Sequence, residues 1–107
     1  MKTIDEGAIA VIFTSRRSGN DEGYGETIER MLELSRQADG FLGFESVRQD
    51  DRGIAVSYWR DEAAVAAWKA EAEHLIAQEK GRRDWYREYD VRICRVIRQY
   101  GFSKPRA

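Results

Sequence analysis

Between Trp59 and Tyr86 the chain holds all three of its tryptophans and its only histidine. Imidazole is the one side chain whose unperturbed pKa lies near neutrality, so His74 is the natural candidate for moving a proton. Tryptophan and tyrosine each offer a flat apolar face and one hydrogen-bonding tip. Rings of this kind around a proton carrier suit a planar aromatic ligand, held in a pocket that is mostly apolar with a few placed polar groups. His74 is therefore the candidate catalytic base or hydrogen-bond donor. Trp59, Trp68, Trp85 and Tyr86 are the candidate walls. Glu71, His74 and Gln78 share one face of a helix, because residues three and four apart are neighbours there, and Gln78 can orient a polar group. Each of these residues also has a packing interpretation. Trp68 fits a core, His74 fits a helix residue bonded to nearby structure, and Trp85, Tyr86 and Tyr89 fit a strand end or dimer seam.

Other chemistry is thin. One histidine, one cysteine and scattered carboxylates lack metal-ligand spacing, so no metal or other cofactor is expected. Ser57 and His74 cannot be linked into a triad from sequence. The Gly-Asn-Asp-Glu-Gly-Tyr-Gly run at 19–25 is acidic and lacks a lysine, which makes it a poor phosphate cradle. Cys94 has no second cysteine to pair with, and its expected state is a buried, inert thiol on a strand. The 18 basic and 19 acidic residues leave a net charge of -1, so nothing draws the chain to nucleic acid or to an anionic membrane. The N-terminal residues lack a signal-peptide core, and no apolar run approaches ~18 residues. A cytoplasmic protein is the expectation.

The elements that would position these residues follow from periodicity. Ala8–Thr14 reads as a first strand, and Ser15–Gly25 as a polar, glycine-rich loop. Tyr24, Ile28, Met31 and Leu32 make a helical stripe, with Gly40 as its stop. Phe41–Gln49 and Ile54–Trp59 are strands joined by a turn at Asp50-Asp51-Arg52-Gly53. Asp61 is the expected N-cap of a second helix running to Lys80, with Gly81 as its stop. Its core stripe is Val65, Trp68, Ala72, Leu75 and Ile76. Periodicity leaves open whether this is one helix or two broken near Trp68–Ala72. Val91–Gln99 is the last strand. No repeat or linker interrupts residues 1–107, so one domain is expected.

The order β-α-β-β-α-β is the ferredoxin-like split βαβ, an α+β fold with a four-stranded antiparallel sheet and both helices on one face. The first and third strands are apolar on both faces, and two helices cover only one. A second copy packed sheet against sheet is the simplest cover for the other. A homodimer through the sheet face is therefore expected.

Gly40-Phe-Leu-Gly-Phe-Glu-Ser46, Ser57-Tyr58-Trp59, the run from Trp68 through Glu73-His74 and Ala77-Gln78 to Gly81-Arg82, and Trp85-Tyr86 with Tyr89 and Arg92 together resemble the antibiotic biosynthesis monooxygenase superfamily. The resemblance is to its small stand-alone bacterial members and covers essentially the whole chain. It implies a dimeric α/β barrel. Members of the superfamily include cofactor-independent monooxygenases that turn aromatic phenols into quinones, haem-degrading monooxygenases, and proteins without an established activity. The fold thus implies a site rather than a reaction. The leading implication is a cofactor-free monooxygenase of a small aromatic, phenolic or quinonoid molecule. The alternative is a non-catalytic ligand-binding or stress-associated module. A weaker alternative is haem degradation. Haem degraders of this superfamily carry an asparagine in the first strand, a tryptophan in the second helix and a haem-ligand histidine beyond it. Trp68 matches the tryptophan, but the histidine position falls on Gln78 and the asparagine position near Phe13. Without the axial ligand, the main attachment for haem iron is missing. Phe13 and Gln78 join the candidate ligand-binding residues on this basis.

Overall fold

The computed structural model describes residues 4–77 and 85–105, with 74–77 described by backbone alone. The elements are β1 (Ile9–Arg17), α1 (Tyr24–Gln37), β2 (Phe41–Gln49), β3 (Arg52–Trp59), α2 (Glu62–Ala77) and β4 (Tyr86–Arg95). The strands form one sheet in the order β2-β3-β1-β4, and every neighbouring pair is antiparallel. This is the split βαβ arrangement read from the sequence.

β1 is the spine of the sheet. It pairs with β3 from Ile9↔Trp59 to Arg16↔Arg52 and with β4 from Ile9↔Arg95 to Arg17↔Tyr86. This double pairing corrects two expected boundaries. Ser15, Arg16 and Arg17 are polar and read as loop, yet they continue β1 because the ladder supplies their backbone groups with partners on both sides. Opposite them, β4 begins at Tyr86 rather than Val91. It ends at Arg95 rather than Gln99, close to where the chain before β1 turns away at Gly7, φ 93°. The β2–β3 hairpin is also tighter than expected. Gln49 pairs with Arg52, so the turn is Asp50-Asp51 alone, with Asp50 at φ 55°, a left-handed position that aspartate tolerates. Gly53, read as part of the turn, lies within β3 opposite Arg48.

Alternation places Ile9, Val11, Phe13 and Ser15 on one face with their β3 partners Trp59, Ser57, Ala55 and Gly53. The helices cover this face. Ile9 and Trp59 pack with Ala64 and Val65 of α2, and Val11, Ala38, Phe41 and Trp68 lie against that cluster. Trp59 has 0% of its surface exposed. Its ring stacks on Trp68 at 5.8 Å and takes Phe41 edge-on at 5.5 Å, while its Nε1 donates to Ser57 Oγ at 2.9 Å. The opposite face carries Ile12, Val56 and Tyr58, with Val47 and Ile54 well exposed. Cys94 lies on a strand as expected but is exposed rather than buried. It belongs to edge strand β4, on the face that no helix covers.

α2 is unbroken from Glu62 to Ala77, and its expected end at Lys80-Gly81 lies outside the described residues. Asp61 caps it by accepting the Ala64 N–H at 2.8 Å. That hydrogen bond, then the Arg60 guanidinium, holds the Asp61 carboxyl below the usual carboxylate range. Arg60 also pairs with Asp39 at 3.0 Å and lowers that carboxyl in the same way. A group whose folded pKa is depressed contributes stability in full above its unfolded value, near pH 4, and loses it as pH falls through the folded value. Asp61→Asn keeps the cap acceptor and is expected to flatten part of the acid-side loss in thermal melts between pH 2 and 7. Asp61→Ala is expected to lower the midpoint by several degrees at pH 7.

Candidate functional site

The two helices approach the sheet differently. Small residues on α2, Ala64 beside Val65, bring it close to Ile9 and Trp59. α1 instead presents Tyr24, Ile28, Met31 and Leu32, and between that row and the sheet lies a cavity of about 840 Å³. Its floor is Val11, Phe13 and Ser15 of β1, Ala55, Ser57 and Trp59 of β3, and Phe44, Ser46 and Arg48 of β2. Trp68 of α2 joins the wall beside Trp59, and Trp85, Tyr86 and Tyr89 join it at the start of β4.

Trp85 anchors the β4 end of this wall. Only 4% of its surface is exposed, and its Nε1 donates to the Glu22 carbonyl at 2.7 Å. Its own carbonyl accepts the Ser18 N–H at 2.9 Å and Arg17 Nε at 3.3 Å. The glycine-rich segment before α1 is therefore tied to β4 at both its beginning and its end. The ring of Tyr24 meets Trp85 edge-on at 5.4 Å. Phe13 stacks on Tyr89 at 5.2 Å and meets the edge of Tyr86 at 5.5 Å.

The same end of the cavity carries phenol and guanidinium groups. Tyr86 donates its O–H to the Tyr24 oxygen at 3.2 Å, and Arg48 Nη2 donates to that oxygen at 3.4 Å. The Arg17 guanidinium lies 3.3 Å above the Tyr24 ring and is paired with Asp21. Burial, then the hydrogen bond to Tyr24, pushes the Tyr86 phenol well above its ordinary pKa. Tyr86 thus stays a neutral donor across the physiological range.

Five of the residues nominated from sequence, Phe13, Trp59, Trp68, Trp85 and Tyr86, share this one wall. His74 falls on α2 and its side chain lies outside the described residues, as does Gln78. The cavity lies under α1, with Trp68 as the residue that α2 contributes to it. Sequence reasoning missed Tyr24 and Arg48 as site residues. Tyr24 heads the α1 stripe, which reads equally well as core, and Arg48 gives no signal until the strand register sets it opposite Gly53. Among the described residues no group of three or more His, Cys, Asp or Glu side chains could hold a metal ion. No helix among them is long and apolar enough to cross a membrane.

Fold and cavity together define a ferredoxin-like α+β protein with an aromatic-walled space between one helix and the sheet. The family model for antibiotic biosynthesis monooxygenase matches residues 8–80, and the chain belongs to that family. It is 51% identical over 104 residues to the Bacillus subtilis protein YqjZ, covering 96% of this chain and 91% of that one. It is 34% identical over 92 residues to a jasmonate monooxygenase of Pyricularia oryzae, covering 81% of this chain but 42% of that protein. Among solved structures it is similar to SnoaB of Streptomyces nogalater, a cofactor-independent oxygenase. The TM-score is 0.72 at 12% identity, over 87% of this chain and 96% of that one. Rv0793 of Mycobacterium tuberculosis gives a TM-score of 0.71 at 13% identity, over 88% and 99% of the two chains. Family membership supports a monooxygenase-like function in general terms.

Proposed function

We propose that the chain is a monooxygenase that works without metal or flavin on a small aromatic, phenolic or quinonoid molecule bound under α1. The observation that carries this reading is the convergence of Phe13, Trp59, Trp68, Trp85 and Tyr86 on one cavity of about 840 Å³. That lies within the range of about 300–1,000 Å³ common for small-molecule sites. A relative named as a monooxygenase supports the oxygenation, and a structural neighbour named as cofactor-independent supports the absence of a prosthetic group. In the reaction a phenol loses its proton, and the phenolate passes an electron to dioxygen. One oxygen atom then bonds to a ring carbon and the other leaves as water, giving the quinone. The chain's part is to hold the ring, exclude water and favour the phenolate, with His74 as base or hydrogen-bond donor.

Oxygen uptake with a panel of phenols and hydroquinones tests this. Turnover is expected for at least one, and His74→Ala should lower its kcat by about 10²–10⁴-fold. Binding without oxygen consumption anywhere in the panel would show a ligand-binding module instead.

The reading includes a homodimer across the helix-free face. Val47 and Ile54 are exposed there at 72% and 49%, and beyond β4 Ile97, Tyr100 and Phe102 are exposed at 86%, 85% and 88%. Exposed apolar groups of this extent are typical of an association surface. Light scattering at micromolar concentration is expected to give about twice the chain mass of 12.4 kDa. Ile54→Asp should shift the protein towards monomer and speed the reaction of Cys94 with a thiol reagent. A folded monomer in the parent protein defeats this part of the reading.

A further inference from the structure

We propose that Arg48 and Tyr24 form an anion clamp at the polar end of the cavity, so that its ligand is an apolar ring compound bearing one negatively charged oxygen group. This rests on the reading that the cavity takes a small ring compound, and it adds the charge that the compound carries.

Donor and acceptor accounting comes first. A guanidinium only donates, and a hydroxyl oxygen has two lone pairs and one proton. The Tyr24 oxygen accepts from both Arg48 Nη2 and Tyr86. Both lone pairs are therefore engaged, and the Tyr24 proton is left to donate to a ligand. Among the described residues Arg48 makes two hydrogen bonds, both at 3.4 Å, to Tyr24 and to the Asp51 carbonyl. The remaining guanidinium N–H groups are also donors. This end of the cavity thus presents hydrogen-bond donors to an incoming group.

Charge accounting points the same way. Arg17 is neutralised by Asp21, and Glu88, the acidic residue in the cavity wall, pairs with Arg16 at 3.6 Å. Arg48 has no carboxylate partner among the described residues. A neutral acceptor would satisfy its hydrogen bonds but add no counter-charge. A carboxylate or phenolate satisfies both, and charge-assisted, forked contacts are the stronger kind.

The sequence also makes room for this arrangement. Arg48 faces Gly53 across the β2–β3 ladder. A Cβ on Gly53 would stand 2.6 Å from Arg48 Nη2 and 3.0 Å from its Cζ. The guanidinium therefore lies across bare backbone, and only glycine leaves that path open. Glycine inside a strand commonly marks such a close approach.

Calorimetric titration of the full chain with 1-naphthoate, 1-naphthol and the neutral isostere 1-naphthamide tests the clamp. The expected result is that at least one anionic head binds more tightly than the amide. A carboxylate source shows as naphthoate preference. A phenolate source shows as naphthol binding that strengthens with pH and releases a proton. Arg48→Ala should weaken the preferred anion about 10- to 100-fold and the amide, which loses a hydrogen bond but no counter-charge, clearly less. Gly53→Ala keeps the charge but displaces the guanidinium, so it should weaken the same anion in a chain whose melting curve confirms folding. Equal affinity for all three compounds, insensitive to either substitution, overturns the clamp while leaving the ring-binding cavity standing. No heat with any of them overturns both.

Discussion

Trp59→Ala is expected to cost about 3–5 kcal/mol of folding stability, the range for truncating a fully buried large ring. Trp59 has no exposed surface, and it is the point where the sheet, α2 and the start of β2 meet. Alanine would remove its stack on Trp68, its edge contact with Phe41 and the hydrogen bond it gives to Ser57. Domains of this size are typically stable by about 5–15 kcal/mol, so the variant should be marginal. Urea unfolding reads this directly: the midpoint should fall with little change in slope. Trp59→Phe keeps a ring against Trp68 and should lose clearly less. A Trp59→Ala protein within about 1 kcal/mol of the parent would contradict this account of the core.

Gly40→Ala is the second large effect, and it has two separable causes. Gly40 sits at φ 85°, where an L-residue costs about 1–2 kcal/mol. A methyl group there would also stand 2.6 Å from the Cβ of Ala64. Neither side can yield cheaply, because Ala64 is fixed on α2 and the Gly40 carbonyl holds the Arg60 N–H at 2.7 Å. Overpacking of this kind adds about 1–3 kcal/mol, for a total of about 2–5 kcal/mol. Gly7 separates the causes. It has φ 93° but nothing within 4 Å of an added Cβ, so Gly7→Ala should show the backbone cost alone. Adding Ala64→Gly to Gly40→Ala should recover part of the loss in a double-mutant cycle, despite the usual penalty of glycine in a helix. A purely additive cycle would place the clash elsewhere.

Element order and type were legible because each element carries its own signal. β1 is a β-branched run, α1 has a clean stripe, and α2 has a capping aspartate. Strand ends were not legible at Ser15–Arg17 or Tyr86–Asp90. There polar residues are held by pairing with distant strands, and no local propensity records that. Cys94 was misjudged for a related reason: a strand residue is buried only if something covers its face, and sheet order decides that. The aromatic half of the cavity could be read from composition, since rings with polar tips cluster visibly between Trp59 and Tyr86. Its polar half could not. Tyr24, Arg48 and Gly53 lie far apart in sequence and become neighbours only through the β2–β3 register and the placement of α1 over it.

All three tryptophans of the chain line the same cavity. The protein's tryptophan fluorescence therefore arises entirely from the cavity wall, and no indole elsewhere dilutes it. Trp59 and Trp68 stand 5.8 Å apart with their planes 23° from parallel, close enough for their excited states to couple. That coupling should give a signed couplet in circular dichroism that changes when a ring slides against the pair. An electron-poor quinone bound there would quench the emission more strongly than an electron-rich phenol. The chain thus carries its own optical probe, able to follow occupancy and oxidation state without a label.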